Sequence, residues 1–337
     1  MKAAIYERSR TLSVGISTPQ SPGAGEVRLR VSHCGICGTD LHIFLGDLDA
    51  RTKPPQIIGH ETSGVIEDIG QGVVGWQPGD RVTVLPVVSC GVCRTCRSGH
   101  PHVCPKLRVL GVDAPGGMQS SWTVPAANLF RLPDAMPLDF GALIEPLAVA
   151  CHDVALAKIE RGEKALVIGG GPIGVLCALV AKHDGADVVV VEVNSFRVSL
   201  MRKLGLTVVD PRETDIQSYV SEWTGGEGAD LAFEVSGTSS GAELMTEVLR
   251  PKGRIVLVSV FAMKPPVNLY RFFARELSLI GVRLYGPQDF ERAIALAAGG
   301  ELPLAPLITA VEPIDRIQEV FDDLTSGGPA MKVLIAI

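Results

Sequence analysis

A strand–turn–helix pattern in the middle of the chain limits the possible folds more than any other feature of the sequence. The apolar run KALVIG (164–169) leads into the turn GGGPIG and then into the apolar stretch GPIGVLCALVAKHDG. Runs of strand length then alternate with stretches of helical periodicity; these runs are ADVVVVEV, TVVD, GADLAFEVSG, GRIVLVSV (253–260) and LSLIGV (277–282). Strands that are apolar throughout and separated by helices indicate a parallel sheet covered on both faces. The pattern therefore predicts a doubly wound α/β domain.

The glycine-rich turn after the first of these strands has the spacing of a dinucleotide-binding loop. Gly169, Gly171 and Gly174 follow the pattern G-x-G-x-x-G at the junction of strand and helix. The first glycine permits a tight turn, the second lets a pyrophosphate approach the main chain, and the third lets the helix pack closely on the strand. We therefore predict a Rossmann cofactor site, with Pro172 and Ile173 in the same turn. The alternative is a structural turn that binds no phosphate.

An acidic residue, Glu192, stands at the end of the following strand, about 20 positions beyond the glycines, as a Rossmann site requires. A carboxylate at that place accepts hydrogen bonds from ribose hydroxyls and repels a 2′-phosphate. We therefore predict NAD rather than NADP as the cofactor. Arg197 follows closely and is the residue nearby that could instead attract a 2′-phosphate.

The flanking regions have a different character. With 337 residues, the chain is too long for a single core, so we expect two domains. Before about residue 146, short β-branched runs such as EVRLRVSHC and DRVTVLPVV alternate with turns such as SPGAGE and WQPGD, which indicates a β-rich domain. After about residue 285, helical stretches include DFERAIALAAGG, and the chain closes with the strand-like run KVLIAI.

Charge and composition exclude some classes of partner. The net charge of −6 argues against a nucleic-acid partner. The longest uncharged run, 165–181, contains GGGP in its middle, so we expect no membrane span. The amino terminus lacks the apolar segment of a secretory signal, and we expect a cytoplasmic protein. Its eight cysteines are then metal ligands or buried thiols rather than disulfides.

Four of these cysteines form a compact cluster in CGVCRTCRSGHPHVC. They have the spacing C-x2-C-x2-C-x7-C and are Cys90, Cys93, Cys96 and Cys104. Four thiolates in one short loop can close a tetrahedron around zinc and leave no open position, which is typical of a structural site. An iron–sulfur cluster and a zinc-ribbon module for nucleic acid are the alternatives. The seven-residue gap disfavours the first, and the acidic chain disfavours the second.

A second set of possible metal ligands is dispersed along the sequence. Cys37 lies in HCGICGTDLH, His60 and Glu61 in IIGHETSG, and Glu145 in LIEPLAVACH. A catalytic zinc needs three protein ligands and one open position, and these residue types can provide them. Taken alone, each could equally be an ordinary core or surface residue.

The motifs together resemble the zinc-containing medium-chain dehydrogenases, and more closely their polyol (sorbitol-type) and threonine dehydrogenase branch. The matching stretches occur in family order and are CGICGTDLH, GHETSG, WQPGDRV, CGVCRTCRSGHPHVC, EPLAVACH and GGGPIG. The resemblance implies a GroES-like catalytic domain over 1–146, with a structural zinc lobe at about 88–106, completed by 286–337. It implies an inserted Rossmann domain over 147–285, with the active site in the cleft between the two.

The resemblance also implies roles for single residues. Cys37 and His60 would ligate the catalytic zinc, and Glu61 and Glu145 would share the remaining positions with water. Asp40 would accept the other N–H of the ligand histidine. Thr39 and His42 would carry away the proton that the substrate hydroxyl loses as hydride passes to NAD, although His42 could be a plain surface histidine. The residues expected along the nicotinamide are Val258, Ser259 and Val282.

The implied reaction is reversible oxidation of a secondary alcohol of a polyol, sugar or vicinal diol to a ketone, with two zinc ions per chain, one catalytic and one structural. The alternatives are amino-alcohol oxidation like that of threonine 3-dehydrogenase, and a non-catalytic nucleotide-binding or zinc-ribbon interaction protein on the same scaffold.

Sorbitol-type enzymes have an arginine directly before the tyrosine of the last Rossmann strand, where this chain has Leu284. The resemblance further implies a homo-oligomer, a tetramer or dimer. Candidate pocket residues are Phe44, Val112, Asp113, Arg283 and Tyr285.

Overall fold

The computed structural model describes residues 1–337, and its internal contacts divide the chain into two units. The first unit consists of Met1–Glu145, Gly286–Gly300 and Leu304–Ile337. The second consists of Pro146–Tyr285 with Glu301–Pro303. The chain thus passes from the first unit to the second at residue 145/146, where the sequence predicted 146/147.

The strands are numbered in chain order. They are β1 (Lys2–Arg8), β2 (Thr11–Ile16), β3 (Glu26–Gly35), β4 (Gln56–Ile57), β5 (Glu61–Ile69), β6 (Arg81–Val84), β7 (Val87–Val88), β8 (Arg108–Val109), β9 (Ser121–Pro125), β10 (Leu129–Arg131), β11 (Lys164–Ile168), β12 (Asp187–Val191), β13 (Thr207–Val209), β14 (Ala229–Glu234), β15 (Leu249–Leu257), β16 (Ser278–Gly281), β17 (Ile308–Pro313) and β18 (Lys332–Ala336).

The α-helices are numbered in the same way. They are α1 (Gly38–Leu45), α2 (Arg94–Arg97), α3 (Leu138–Gly141), α4 (Ile144–Ala157), α5 (Pro172–His183), α6 (Ser195–Lys203), α7 (Ile216–Trp223), α8 (Ser239–Glu247), α9 (Leu269–Arg275), α10 (Pro287–Gly299) and α11 (Ile317–Thr325). None of them has the length and apolarity needed to cross a membrane.

The main sheet of the first unit combines strands from both ends of the chain. Its order is β10-β6-β5-β3-β18-β17, and β9 pairs with β3 outside this path. Val27, Leu29 and Val31 alternate along β3 and are buried in one core, as the two-residue period of a strand requires. Because β18 pairs antiparallel with β3, the last residues of the chain lie beside residues 33–35. This register positions one of the functional side chains described below.

The second unit confirms the predicted doubly wound parallel sheet. Its six strands have the order β13-β12-β11-β14-β15-β16, and all five pairings are parallel. The direction of winding reverses between β11 and β14, and in open parallel sheets ligands bind at the carboxyl ends of the strands at such a point. The strand predicted at 253–260 begins earlier, at Leu249, and ends at Leu257, so Val258 and Ser259 follow it.

The helix α11 is attached to the first unit by a buried apolar face. Ile317, Val320 and Phe321 are buried, and the ring of Phe321 lies 5.4 Å from that of Phe44, centroid to centroid. The two rings belong to the same core cluster, so the carboxy-terminal segment contributes to the core built by the first 145 residues.

We expect Phe321→Ala to lower the free energy of unfolding by about 3–5 kcal/mol, because it removes a fully buried aromatic side chain and leaves a cavity. Val74, which is 88% exposed, provides the control, and Val74→Ala should change stability by less than about 0.5 kcal/mol. Urea denaturation measures both. Equal effects of the two substitutions would contradict the packing described for α11.

Candidate active site

The amino terminus of α1 holds the first possible metal ligand. Cys37 is the N-cap residue of this helix, and its main-chain N–H donates a 2.9 Å hydrogen bond to Oδ2 of Asp40. Asp40 is completely buried. The same residue therefore fixes the start of the helix and keeps a carboxylate beside the cysteine, whose position at the helix N-terminus favours a negatively charged sulfur.

The second and third ligands come from the turn that leads into β5. Gly59 has φ +95°, and an added Cβ would lie 2.6 Å from Met118, so this turn requires glycine. His60 and Glu61 follow directly, and Nδ1 of His60 lies 3.5 Å from Oδ1 of Asp40. Burial lowers the pKa of His60, but the Asp40 carboxylate outweighs this effect and holds the pKa well above its ordinary value. The arrangement suits Asp40 as the partner of Nδ1, as predicted.

Cys37, His60 and Glu61 form one compact group. Their ligand atoms all lie within 4.8 Å of one another, and His60 and Glu61 are buried. A thiolate, an imidazole and a carboxylate at this separation match the donor types and the number of protein ligands of a catalytic zinc site. The structure thus brings together three of the four residues predicted for this metal.

The fourth predicted residue, Glu145, is not part of this group. It is 4% exposed and lies in the first turn of α4. Its charge is nevertheless close enough to help raise the pKa of Lys332. Its role at the metal stays a prediction.

A buried lysine that sequence reasoning missed contacts the carboxylate of this group. Lys332 begins β18, is 4% exposed, and its Nζ donates to Glu61 and, at 2.9 Å, to the carbonyl of Ile36. Burial lowers the pKa of Lys332, but the Glu61 carboxylate, together with Cys37 and Glu145, outweighs it, so the pKa is raised. The one signal in the sequence is a single lysine at the start of an otherwise apolar final run, VLIAI.

A glycine makes room for this ion pair. Gly35 in β3 is opposite Glu61 in β5 and opposite Leu334 in β18. A Cβ at Gly35 would lie 2.0 Å from Oε2 of Glu61 and 3.1 Å from Cε of Lys332. The middle strand, β3, therefore needs a residue without a side chain at this position, because Glu61 of β5 and Lys332 of β18 form their ion pair across it.

The predicted proton-relay residues lie one turn apart on α1. Thr39 is partly buried, and its Oγ1 is 3.8 Å from Sγ of Cys37. His42 is exposed, and its Nδ1 lies 2.8 Å from Oδ2 of Asp47. The spacing leads from the metal-ligand group toward the surface, so the helix geometry is compatible with the relay.

The four clustered cysteines have the geometry of an S₄ metal site. A Zn–S bond of about 2.3 Å in a tetrahedral site separates neighbouring sulfurs by about 3.8 Å. The Sγ–Sγ distances are 3.4 Å for Cys93–Cys96, 3.5 Å for Cys104–Cys90, 3.9 Å for Cys93–Cys104 and 4.0 Å for Cys90–Cys96. All eight cysteines of the chain are free thiols. The donor set and its spacing fit a structural zinc ion.

Main-chain amides lower the pKa of two of the four clustered cysteines, Cys90 and Cys93, whereas burial raises that of Cys96 to about 11. The N–H of Cys96 points to Sγ of Cys93 at 3.4 Å, and the N–H of Lys106 to Sγ of Cys104 at 3.3 Å. Hydrogen bonds from the amides of Val92 and Cys93 lower the pKa of Cys90 to about 6. Such donors orient and stabilise metal-binding thiolates.

The glycine loop of the second unit has the shape that a pyrophosphate requires. Gly169 has φ +102°, and a Cβ there would lie 2.8 Å from the main-chain N of Ser236. A Cβ at Gly174 would lie 1.9 Å from the carbonyl oxygen of Gly169, so both positions require glycine. At Gly171 an added Cβ meets only Nη1 of Arg197, at 3.6 Å, and α5 begins at the next residue, Pro172. The open main chain and the helix N-terminus fit the cofactor phosphates.

Glu192 lies beside this loop, as predicted from its position in the sequence. Its Oε2 accepts a 2.8 Å hydrogen bond from the N–H of Gly170, and its Oε1 accepts from those of Val193 and Asn194. Nη1 of Arg197 is 3.9 Å from Oε2. The carboxylate is thus held at the loop, and Oε2 has capacity for one more donor.

Two of the predicted pocket residues lie in the core of the first unit. Phe44 and Val112 are 0% and 2% exposed and belong to the core cluster that contains Phe321. Their contact with a substrate stays a prediction. Both were chosen from sequence position alone, which does not report the packing of the carboxy-terminal helix.

The remaining pocket predictions have different surroundings. Asp113 accepts two hydrogen bonds from Arg51, at 3.0 and 2.7 Å, and a third from the N–H of Val109. Tyr285 is 1% exposed, whereas Arg283 is exposed. Leu284, between them, has φ +54°. No contact in the structure assigns these residues to a substrate, and their role stays a prediction.

The chain combines a dinucleotide-binding loop on a doubly wound sheet with a thiolate–imidazole–carboxylate group. This combination is typical of a zinc-dependent dehydrogenase. Residues 23–134 match the family model described as the alcohol dehydrogenase GroES-like domain, and residues 172–299 match the one described as zinc-binding dehydrogenase.

Similar proteins agree with these matches. The chain is 46% identical to the 2-dehydro-3-deoxy-L-galactonate 5-dehydrogenase of Pseudoalteromonas atlantica, over 99% of this chain and 98% of that protein. It is 36% identical to the L-threonine 3-dehydrogenase of Anaeromyxobacter sp. (strain K), over 93% and 91%. The structure of galactitol-1-phosphate dehydrogenase from Escherichia coli superimposes with a TM-score of 0.93 at 28% identity and 100% coverage of both chains.

The chain therefore belongs to the zinc-containing medium-chain dehydrogenase family. This confirms the predicted resemblance, the GroES-like and Rossmann folds, and the prediction of zinc and a nicotinamide cofactor. The protein is an oxidoreductase that acts on a CH–OH group of a small molecule, as predicted. The alternatives of an iron–sulfur cluster and of a non-catalytic scaffold are thereby set aside.

The two cysteine-containing groups should bind zinc independently, giving two ions per chain. Elemental analysis should find one zinc after Cys37→Ala and one after Cys93→Ala, because each substitution removes a ligand from only one group. In a time course with a chelator, the zinc at Cys37 should be lost before the zinc of the four-cysteine cluster, because its open coordination position gives the chelator access. A wild-type protein that holds only one zinc, with that zinc retained in Cys37→Ala and lost in Cys93→Ala, would contradict the catalytic site.

The ion pair of Lys332 with Glu61 should be important for stability. We expect Lys332→Met to cost about 3–5 kcal/mol of unfolding free energy, because it leaves a buried carboxylate without its cation. Lys2→Met is the matched control, since Lys2 pairs with Asp315 at the surface, where both side chains are more than half exposed. That change should cost less than about 1 kcal/mol. Urea titrations at equal zinc content compare the two, and equal losses would contradict the account of Lys332.

Proposed function

We propose that this enzyme oxidises a secondary alcohol of a sugar acid to a ketone, reversibly, with NAD as the hydride acceptor. The observation that carries the proposal is the 46% identity, over almost the entire length of both chains, to a dehydrogenase that acts at position 5 of a sugar acid. The compact group of Cys37, His60 and Glu61 supports it, because it supplies the metal ligands that such an oxidation requires.

The residues of the first unit have distinct tasks in this proposal. The chemistry that zinc supplies when bound by Cys37, His60 and Glu61 is Lewis-acid assistance, which favours loss of the proton from a bound alcohol. Asp40, whose Oδ1 lies 3.5 Å from Nδ1 of His60, would favour the tautomer with Nδ1 protonated and leave the other ring nitrogen available for the metal. Lys332 holds Glu61, and Glu145 is the second carboxylate available there.

Proton removal is assigned to α1. Thr39 lies next to Cys37, and His42 lies one turn further along the same helix, at the surface. A hydroxyl can both accept and donate a proton, and the imidazole can release it to water near neutral pH. We infer that these two side chains carry the alcohol proton out of the site.

The choice of NAD over NADP rests on Glu192. Three main-chain N–H groups fix its carboxylate beside the glycine loop, where a 2′-phosphate would meet a negative charge. Arg197 is 3.9 Å from the same carboxylate, so its charge is partly neutralised. We propose that Gly169, Gly171, Pro172, Ile173 and Gly174 receive the pyrophosphate.

The two units correspond to two tasks in this proposal, with the first unit as the GroES-like catalytic domain and the second as the NAD-binding domain. We also propose that the enzyme is a homo-oligomer, a dimer or tetramer. The outer strand β16 and the helix α9 support this, because they expose Leu269, Tyr270, Phe273 and Leu279 by 73%, 71%, 82% and 49%. A cytoplasmic location suits the four clustered thiols, which need a reducing compartment.

A panel of alcohols with NAD and NADP tests the proposal. It should contain sugar acids, sugar alcohols, vicinal diols and L-threonine, and NADH formation is followed by absorbance. We expect the highest kcat/KM for a sugar acid with NAD, and no detectable formation of NADH by the Cys37→Ala enzyme.

Each other outcome has a definite meaning. A preference for L-threonine by a factor of ten or more would contradict the sugar-acid substrate and favour the amino-alcohol alternative, which the 36% identity to L-threonine 3-dehydrogenases keeps open. Equal kcat/KM with NADP would contradict the role given to Glu192.

A further inference from the structure

A fully buried carboxylate of the second unit has no part in the reaction described so far. Glu234 is the last residue of β14, in the middle of the parallel sheet, and it is 0% exposed. Its position is the carboxyl edge of the sheet beside β11, where the winding reverses and where ligands of such sheets bind. Burying a charge is costly, so its surroundings have to explain why it is there.

The donors to this carboxylate are all electrically neutral. Oε1 accepts hydrogen bonds from the N–H and hydroxyl groups of Ser236 and, at 3.2 Å, from the N–H of Gly237. Oε2 accepts from the hydroxyl of Ser259. None of these donors is a cation, so Glu234 has no ion-pair partner among them.

One further stabilising group is the amino terminus of α8. A Cβ added at Gly241, in the first turn of that helix, would lie 2.6 Å from Oε1 of Glu234. The helix terminus contributes a partial positive charge of about one half. That partial charge is only half of what would be needed to balance a full negative charge on Glu234.

Glu234 also touches both parts of the chain expected to hold the cofactor. Its carbonyl oxygen accepts from the N–H groups of Val258 and Ser259, at 3.0 and 3.1 Å. The Ser236 turn that its side chain holds lies against Gly169, the first glycine of the dinucleotide loop. The carboxylate is thus one hydrogen bond away from Ser259, which the family resemblance assigns to the nicotinamide.

The nicotinamide ring carries a positive charge in NAD⁺ and none in NADH. We propose that Glu234 is a fixed negative charge that makes the protein bind NAD⁺ more tightly, relative to NADH, than it would with a neutral residue at this position. The inference rests on the proposed use of NAD, and it adds a specific claim, that the carboxylate discriminates between the two redox forms of the cofactor. In this role Glu234 is a positioning residue whose charge acts on the bound cofactor.

Equilibrium binding tests the proposal without any turnover. The ligands are NAD⁺, NADH and ADP-ribose, which lacks the nicotinamide, and calorimetry with the zinc-loaded protein gives each Kd. In Glu234→Gln we expect the ratio Kd(NAD⁺)/Kd(NADH) to rise on the order of tenfold, as for a unit charge acting over roughly 10 Å at an effective dielectric constant of about 20. The Kd of ADP-ribose should not rise, because that ligand lacks the nicotinamide charge and a carboxylate repels its pyrophosphate.

Two further variants separate charge from structure. Ser236→Ala removes a hydrogen bond to Glu234 but keeps the carboxylate, so the ratio should stay within about twofold of the wild-type value. Glu234→Asp keeps the carboxylate and should likewise leave the ratio within about twofold. If Glu234→Gln does not fold, Glu234→Met replaces it, because it also removes the carboxylate and should raise the ratio in the same direction.

An unchanged ratio in the neutralised variant would overturn the proposal. An equal loss of affinity for ADP-ribose and for NAD⁺ in Glu234→Gln would also overturn it. Glu234 would then maintain the fold of the second unit and would not act on the nicotinamide charge. If the wild-type protein bound neither NAD⁺ nor NADH while remaining folded, the proposed cofactor would be wrong, and with it this inference. If it bound both but oxidised no sugar acid, only the proposed substrate would fail.

Discussion

The buried ion pair between Glu61 and Lys332 is the contact on which the geometry of the first unit depends. The two residues are 271 positions apart, and both side chains have almost no exposed surface. Each charge would be costly to bury alone, so the pair fixes the register of β18 against β3 and of β3 against β5. Gly35 provides the space for it. Since Glu61 also belongs to the metal-ligand group, the end of the chain is coupled directly to the chemistry of the site.

The same physical problem, a buried carboxylate, is solved differently in the two units. Glu61 is paired with the cation of Lys332, and it forms one group with Cys37 and His60 that could hold a metal ion. Glu234 has only hydroxyls, amides and a helix terminus, none of which is a cation. The difference suits the two tasks. A metal ligand has to be held in place while a positive ion is bound, whereas a charge that acts on a cofactor has to remain unneutralised until the cofactor arrives.

Features that depend on neighbouring residues could be predicted from the sequence. The cysteine cluster and the glycine loop are short segments whose spacing alone defines a geometry, and both have that geometry in the structure. Lys332 could not be found in this way, because its partner is set by strand register over most of the chain. The burial of Phe44 and Val112 could not be predicted for the same reason, since both pack in one cluster with α11, which follows the whole second unit.

Crystallography of the zinc-loaded protein, with anomalous data at the zinc absorption edge, tests the central claim most directly. The account predicts a zinc ion bound by Sγ of Cys37 and a ring nitrogen of His60. It also predicts an oxygen of Glu61 at the metal, directly or through one water, while Nζ of Lys332 still contacts the same carboxylate. A zinc ion held without Glu61, or a Glu61 that has left Lys332 and turned away from the metal, would contradict it.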